Sequence, residues 1–229
     1  MTGWLGRDAP IVWLSLRIAI VATIASLPVA IIVALVLARG RFWGREILNA
    51  IVYLPLVLPP VVTGYFLLET FGRRGMIGAF LERAFGVTLA FRWTGAALAA
   101  AVMGFPLMVR AIRQAIESVD RRLEDAAATL GASPLWTALT ITIPLALPGI
   151  LSGMVLGFAK ALGEFGATIT FVSNIPGETQ TLALAVYSFL EAPGGEAQAA
   201  HLVWLSVAVS FAALLASEFL ARRVAKFQR

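Results

Sequence analysis

Residues 118–149 read SVDRRLEDAAATLGASPLWTALTITIPLALPG, a polar segment followed by a turn and a second helix-forming segment. Ser118 or Asp120 can cap a first helix, in which Leu123, Ala126, Ala127 and Leu130 fall at helical spacing on one face. Gly131 supplies the left-handed residue that ends it. Ser133 and Pro134 form an N-cap and first-turn pair for a second helix that runs into Pro144. The spacing predicts a short helical hairpin. Periodicity leaves two uses open for it: an amphipathic hairpin lying on lipid headgroups, or a knob for a groove on a soluble partner, with the small Ala126, Ala127 and Ala128 permitting close approach.

On both sides of the hairpin the chain is apolar for long distances. Of its 229 residues 59% are hydrophobic and 14% charged, and the mean hydropathy is +0.87, a balance unsuited to a water-facing surface. A bilayer core requires about 20 apolar helical residues, and the stretches 10–38, 47–71, 94–116, 145–172 and 200–221 qualify. The expected fold class is therefore an all-α membrane protein of about five transmembrane helices, a single domain over 1–229. The first run is too long for a cleavable signal-peptide core, so it is expected to stay as a span. Residues 181–190 are apolar but half a span long, which favours a re-entrant or interfacial helix, and Pro193, Gly194 and Gly195 mark a turn.

Charge sets the expected orientation. Arg39, Arg41 and Arg45 follow the first span, Arg110, Arg113, Arg121 and Arg122 the third, and Arg222, Arg223, Lys226 and Arg229 the fifth. The alternate side carries Arg7, then Arg73, Arg74, Arg83 and Arg92, then residues 173–199 with no Lys or Arg. The positive-inside rule places the C-terminus and the hairpin in the cytoplasm and the N-terminus outside. The net charge of +5 is spread through short loops rather than along a stripe, which argues against a nucleic-acid partner. The chain has no cysteine and only His201 as histidine, so thiolate chemistry and a histidine metal cluster are excluded. It contains no G-x-x-x-x-G-K-[ST] phosphate loop.

Within the spans, Gly149, Gly153 and Gly157 strip one helical face of side chains, a pattern for close helix packing. Lys160 and Glu164 lie beside it near the expected middle of the hydrocarbon. They are either a mutually neutralising pair one turn apart or an anion pathway lined by Lys160 and braced by Glu164. Arg17 poses the same choice, with snorkelling to the outer headgroups as the alternative. Pro55, Pro59 and Pro60 must kink or unwind the second span, and Pro106 is expected to act likewise in the third.

Asp125, Ala126, Ala127, Gly131, Ile141, Ile143 and Pro144 match in register the EAA motif of ABC importer permeases: Glu-Ala-Ala, three residues, Gly, nine residues, Ile, one residue, Leu-Pro. Asp125 stands where that family has Glu and Ile143 where it has Leu, while Glu124 offers a second acid one residue earlier. The resemblance implies the transmembrane domain of a type I ABC importer, in which this loop docks on an ATPase subunit, with Glu124 or Asp125 making the contact. LPLVLPPVVTGYFLLETFGRRG (54–75), AAAVMGFPLMVRAIR (99–113) and GEFGATITFVSNIPGET (163–179) resemble molybdate importer permeases, over roughly 13–222. Sulfate and thiosulfate permeases carry a similar Gly-Glu-aromatic-Gly stretch and are the alternative.

That family implies a bacterial inner-membrane assembly of two copies of this chain, two cytoplasmic ATPase subunits that use ATP and magnesium, and a periplasmic oxyanion-binding protein. It implies alternating access for molybdate or tungstate, with no cofactor on this chain. Two other classes compete. An ion-gradient-driven transporter would show inverted repeats and midplane ion ligands, and an intramembrane enzyme would need a richer constellation than Lys160 with Glu164.

Overall fold

The computed structural model describes the backbone of residues 2–226 and the side chains of residues 8–219. The side chains of Arg7, Arg222, Arg223 and Lys226, used above for orientation, fall outside that range, as does Arg229 altogether. The described residues form helices without strands: α1 (Thr2–Arg39), α2 (Arg45–Val57), α3 (Pro60–Phe71), α4 (Met76–Phe85), α5 (Trp93–Glu117), α6 (Arg121–Thr129), α7 (Pro134–Thr137), a π turn (Ala138–Thr142), α8 (Ile143–Leu162), α9 (Gly166–Val172), α10 (Leu182–Glu191) and α11 (Glu196–Lys226).

Four helical segments are long and apolar enough to cross a bilayer: 8–39, 93–117, 134–162 and 196–219. A fifth crossing exists only if α2 and α3 count as one span, and these are bent by 114° at Leu58–Pro59. The cause is local. Pro59 and Pro60 supply no N–H, and Leu58 is held extended, as a residue before proline must be. At 1.5 Å per residue α2 and α3 are each about 20 Å long or less, short of the roughly 30 Å hydrocarbon.

Two further expectations change. The span expected over 145–172 ends at Leu162, and residues 163–165 separate it from α9. At its other end it extends back to Pro134, so the second arm of the hairpin and the span are one helical run. The π turn lies directly ahead of Pro144, where an α-helix would need an N–H that proline lacks. Pro106 does not interrupt α5; it is fully buried, and packed neighbours hold the helix through it.

α5 is the central helix, flanked by α1 and α8. Its first half carries Gly95, Ala96, Ala97, Ala99, Ala100 and Gly104, which let neighbouring backbones close in. Gly149, Gly153 and Gly157 of α8 face it: a side chain on Gly149 would overlap Ala115, and a Cβ on Gly153 would lie 3.1 Å from the Met108 carbonyl oxygen. Buried hydroxyls in α1 turn back on their own helix, Ser15 donating to the Ile11 carbonyl at 2.9 Å and Thr23 to that of Ala19 at 2.8 Å, so polar atoms sit in an apolar span without going unsatisfied.

Contacts at both ends fix the helix directions. The Arg17 guanidinium stacks 3.8 Å from the ring centroid of Trp93, at the start of α5, while Arg39 donates to the carbonyl of Ile116 in its last turn and to that of Val119 just beyond it. α1 and α5 are therefore parallel. The Asp8 carboxylate meets His201 near the start of α11 at 2.9 Å, so α11 runs the same way, and α8 opposes all three. The hairpin and the end of α1 share one end of the bundle. α10 is docked at the other, where the Ser15 hydroxyl accepts from the Leu182 N–H at 2.8 Å, and its ten residues are too few to cross. The segment 40–92 returns the chain across the bundle through the bent α2–α3 pair.

α3 packs along α9, and Gly64 is the closest point. A Cβ there would lie 2.6 Å from the Ala167 carbonyl oxygen and 2.9 Å from its Cα, both backbone atoms that cannot rotate away. Gly64→Ala is expected to lower stability by about 1–3 kcal/mol, read as a reduced midpoint of thermal unfolding in detergent; an unchanged midpoint would mean that the two short helices can separate freely.

Candidate functional site

Asp120 caps α6, its carboxylate accepting from the Arg122 N–H at 3.0 Å, whereas the Ser118 hydroxyl donates back to Ala115. Gly131 takes φ +85° and turns the chain, and the Ser133 hydroxyl caps α7 by accepting from the Trp136 N–H at 3.3 Å. The hairpin leaves its apolar tip uncovered: Leu130 is 88% exposed, Leu135 72% and Trp136 62%. Ala126 is exposed and Ala127 partly buried on the same short helix, which buries none of its residues. Ile143 is partly buried against the core cluster that includes Ile116 and Ala146, Ile141 is half-buried, and Pro144 is exposed.

The two acids diverge. Glu124 points into the molecule, where Arg39 Nε lies 3.0 Å from each of its carboxylate oxygens and the Thr142 hydroxyl donates to Oε1 at 2.7 Å. The side chains of Arg39 and Glu124 are each 19% exposed. Asp125 is exposed, and its carboxylate has no ion-pair or hydrogen-bond partner among the described residues. Between the end of α1 and the hairpin lies an open groove of about 380 Å³, lined by Leu35, Arg39, Glu124, Ala128, Thr137 and Thr142 among others.

Lys160 and Glu164 lie at the opposite end of α8 from the hairpin, in its last turn and in the break that follows. The Lys160 ammonium donates to Glu164 Oε2 at 2.6 Å, and Glu164 Oε1 accepts from the Ala167 N–H at 3.0 Å. Glu164 thus neutralises a cation and satisfies an N–H in the first turn of α9 at once, with a side chain only 1% exposed against 30% for Lys160. Arg17 is joined to Trp93 rather than to this pair. No group of three or more metal-ligating side chains occurs among the described residues.

Sequence reasoning missed three participants. In the sequence Arg39 reads only as a topology cation, no pattern marks Thr142, and Gly64 carries no signal because its contact, α9, is distant in sequence. The break before α9 was legible in part, since Gly163 and Gly166 flank Glu164 and Phe165.

Residues 26–226 match the family described as binding-protein-dependent transport system inner membrane component. The chain is 54% identical to the molybdenum transport system permease protein ModB of Haemophilus influenzae, covering 93% of each chain. It is 57% identical to the protein of the same name in Escherichia coli strain K12, covering 92% of each. Among solved structures, the MetNI methionine ABC transporter in inward-facing conformations matches with a TM-score of 0.75 at 16% identity, over 98% of this chain and 99% of that one, a likeness of fold.

Proposed function

Because this chain belongs to the family of binding-protein-dependent transport system inner membrane components, we propose that it is the permease subunit of an ABC importer that carries molybdate across the inner membrane. The observation that carries the substrate is the identity of 54% and 57% to molybdenum permeases over almost their whole length. The physical chemistry of the spans does not distinguish one tetrahedral dianion from another.

The hairpin is the ATPase-coupling element of this reading. Its uncovered Leu130, Leu135 and Trp136 and the outward Asp125 suit a groove on a soluble subunit, and Glu124, engaged with Arg39, is left to an internal role. Docking there puts the hairpin in the cytoplasm, the start of α1 outside and the far end of α11 inside. Two copies of this chain then form the pathway, two ATPase subunits bind ATP and magnesium, and a periplasmic binding protein delivers the anion. ATP-driven approach of the ATPase subunits shifts the spans between inward-open and outward-open packings through their differential contacts.

The test is ATP hydrolysis by the assembly in liposomes, with its binding protein loaded with molybdate, tungstate or sulfate. Molybdate is expected to stimulate hydrolysis and to be taken up, with tungstate a competitor. Stimulation by sulfate alone would reassign the substrate, and purification of an active transporter without any ATPase would remove the ABC reading.

A further inference from the structure

The coupling element is fastened to the spans at one place. Arg39, the last residue of α1, donates to three acceptors, Glu124 Oε1 on α6 at 3.0 Å and the carbonyls of Ile116 and Val119 around the end of α5 at 2.9 and 3.1 Å, and its Nε also lies 3.0 Å from Glu124 Oε2. The same carboxylate accepts from Thr142, the last residue of the π turn on the helix that becomes α8. One guanidinium and one carboxylate therefore link the ends of α1 and α5, the first arm of the hairpin and the second arm. α6 buries none of its residues, so apolar packing contributes little to holding it, and the charge-assisted bonds dominate its attachment. Around them Arg45 donates instead to the Leu37 carbonyl at 2.7 Å, so Arg39 is the only cation paired with Glu124 among the described residues.

We propose that Arg39, Glu124 and Thr142 form the strut that turns displacement of the hairpin into concerted movement of α1, α5 and α8, and that their loss uncouples ATP hydrolysis from transport. The inference rests on the permease reading. These are positioning residues, since each acts through the helix ends it joins. The strut ends on the π turn, the one wide turn in the run 134–162, and wide turns are the points where a helix changes length or direction most easily. A push on α6 is delivered at that joint by Thr142 and at the α1 and α5 ends by Arg39. An untethered α6 would move on its connecting residues and leave the spans behind.

The experiment compares the parent assembly with Glu124→Gln, Arg39→Gln, Thr142→Val and the exchanged pair Arg39→Glu with Glu124→Arg. Three quantities are read: co-purification with the ATPase subunits, ATP hydrolysis, and molybdate taken up per ATP in proteoliposomes. Glu124→Gln and Arg39→Gln are expected to keep the subunit stoichiometry and a basal ATPase, while uptake per ATP falls about tenfold. Thr142→Val, which retains the ion pair, is expected to show a smaller fall, and the exchanged pair to recover part of the loss. Unchanged uptake per ATP in Glu124→Gln would overturn the strut, as would loss of the ATPase subunits, which would make Glu124 a docking residue. If the parent itself binds no ATPase, the permease reading fails instead, whatever the variants do.

Discussion

Gly131→Pro is expected to give an assembly that imports about a hundredfold more slowly than the parent, or none at all, because two requirements of the hairpin turn fail together. Gly131 sits at φ +85°, whereas a proline ring fixes φ near −65°, and its N–H, which proline lacks, donates to the Ala128 carbonyl at 3.0 Å. The local cost is about 3 kcal/mol or more, enough to reorient Leu130 and Trp136 on either side of the turn. Gly131→Ala separates the causes. A Cβ there meets nothing within 4 Å, so only the left-handed backbone is penalised, by about 1 kcal/mol, and most import should survive. Uptake in proteoliposomes measures both variants, and parent-like import by Gly131→Pro would show that the turn does not transmit force.

Removal of one member of the Lys160–Glu164 pair should have the largest effect on stability. Lys160→Met leaves a carboxylate with a side chain 1% exposed and no cation, a loss expected near the upper part of the range of about 3–5 kcal/mol for breaking a buried pair. Glu164→Ala leaves a lysine that is 30% exposed and can be partly solvated, so its ion-pair penalty is smaller, but the Ala167 N–H also loses its acceptor. The double variant Lys160→Met with Glu164→Gln retains an acceptor for that N–H and removes both charges. It should be more stable than Lys160→Met alone. With Glu164→Gln as the second single variant, thermal unfolding of the purified protein in detergent reads the cycle, and additive effects would mean that the two side chains do not act as a pair.

The sequence made the helical character, the hairpin and the glycine face readable because each is a local pattern. Capping residues, the left-handed glycine and a four-residue repeat all lie within one or two turns of what they determine. The 114° bend was half legible: three prolines announce a break, but its angle follows from what α3 packs against. Continuity through Pro144 and Pro106 was not legible, since the wide turn and the neighbouring helices that accommodate those rings lie in the folded protein. The separate fates of Glu124 and Asp125 were invisible for the same reason. Adjacent residues on a helix point about 100° apart, and only the position of Arg39, far upstream, decides which of them faces inward.

The pairing of α3 with α9 also bears on how the chain is made. Residues 45–71 are apolar enough to be handed to the membrane as one ordinary span, yet Gly64 acquires its neighbour Ala167 only after about 100 more residues have been added. At about 5–20 residues per second, the backbone groove at Gly64 waits on the order of 5–20 s for the segment that fills it. A ribosome-bound intermediate halted before residue 160 would therefore hold α3 without its final partner, in a geometry free to differ from the finished one.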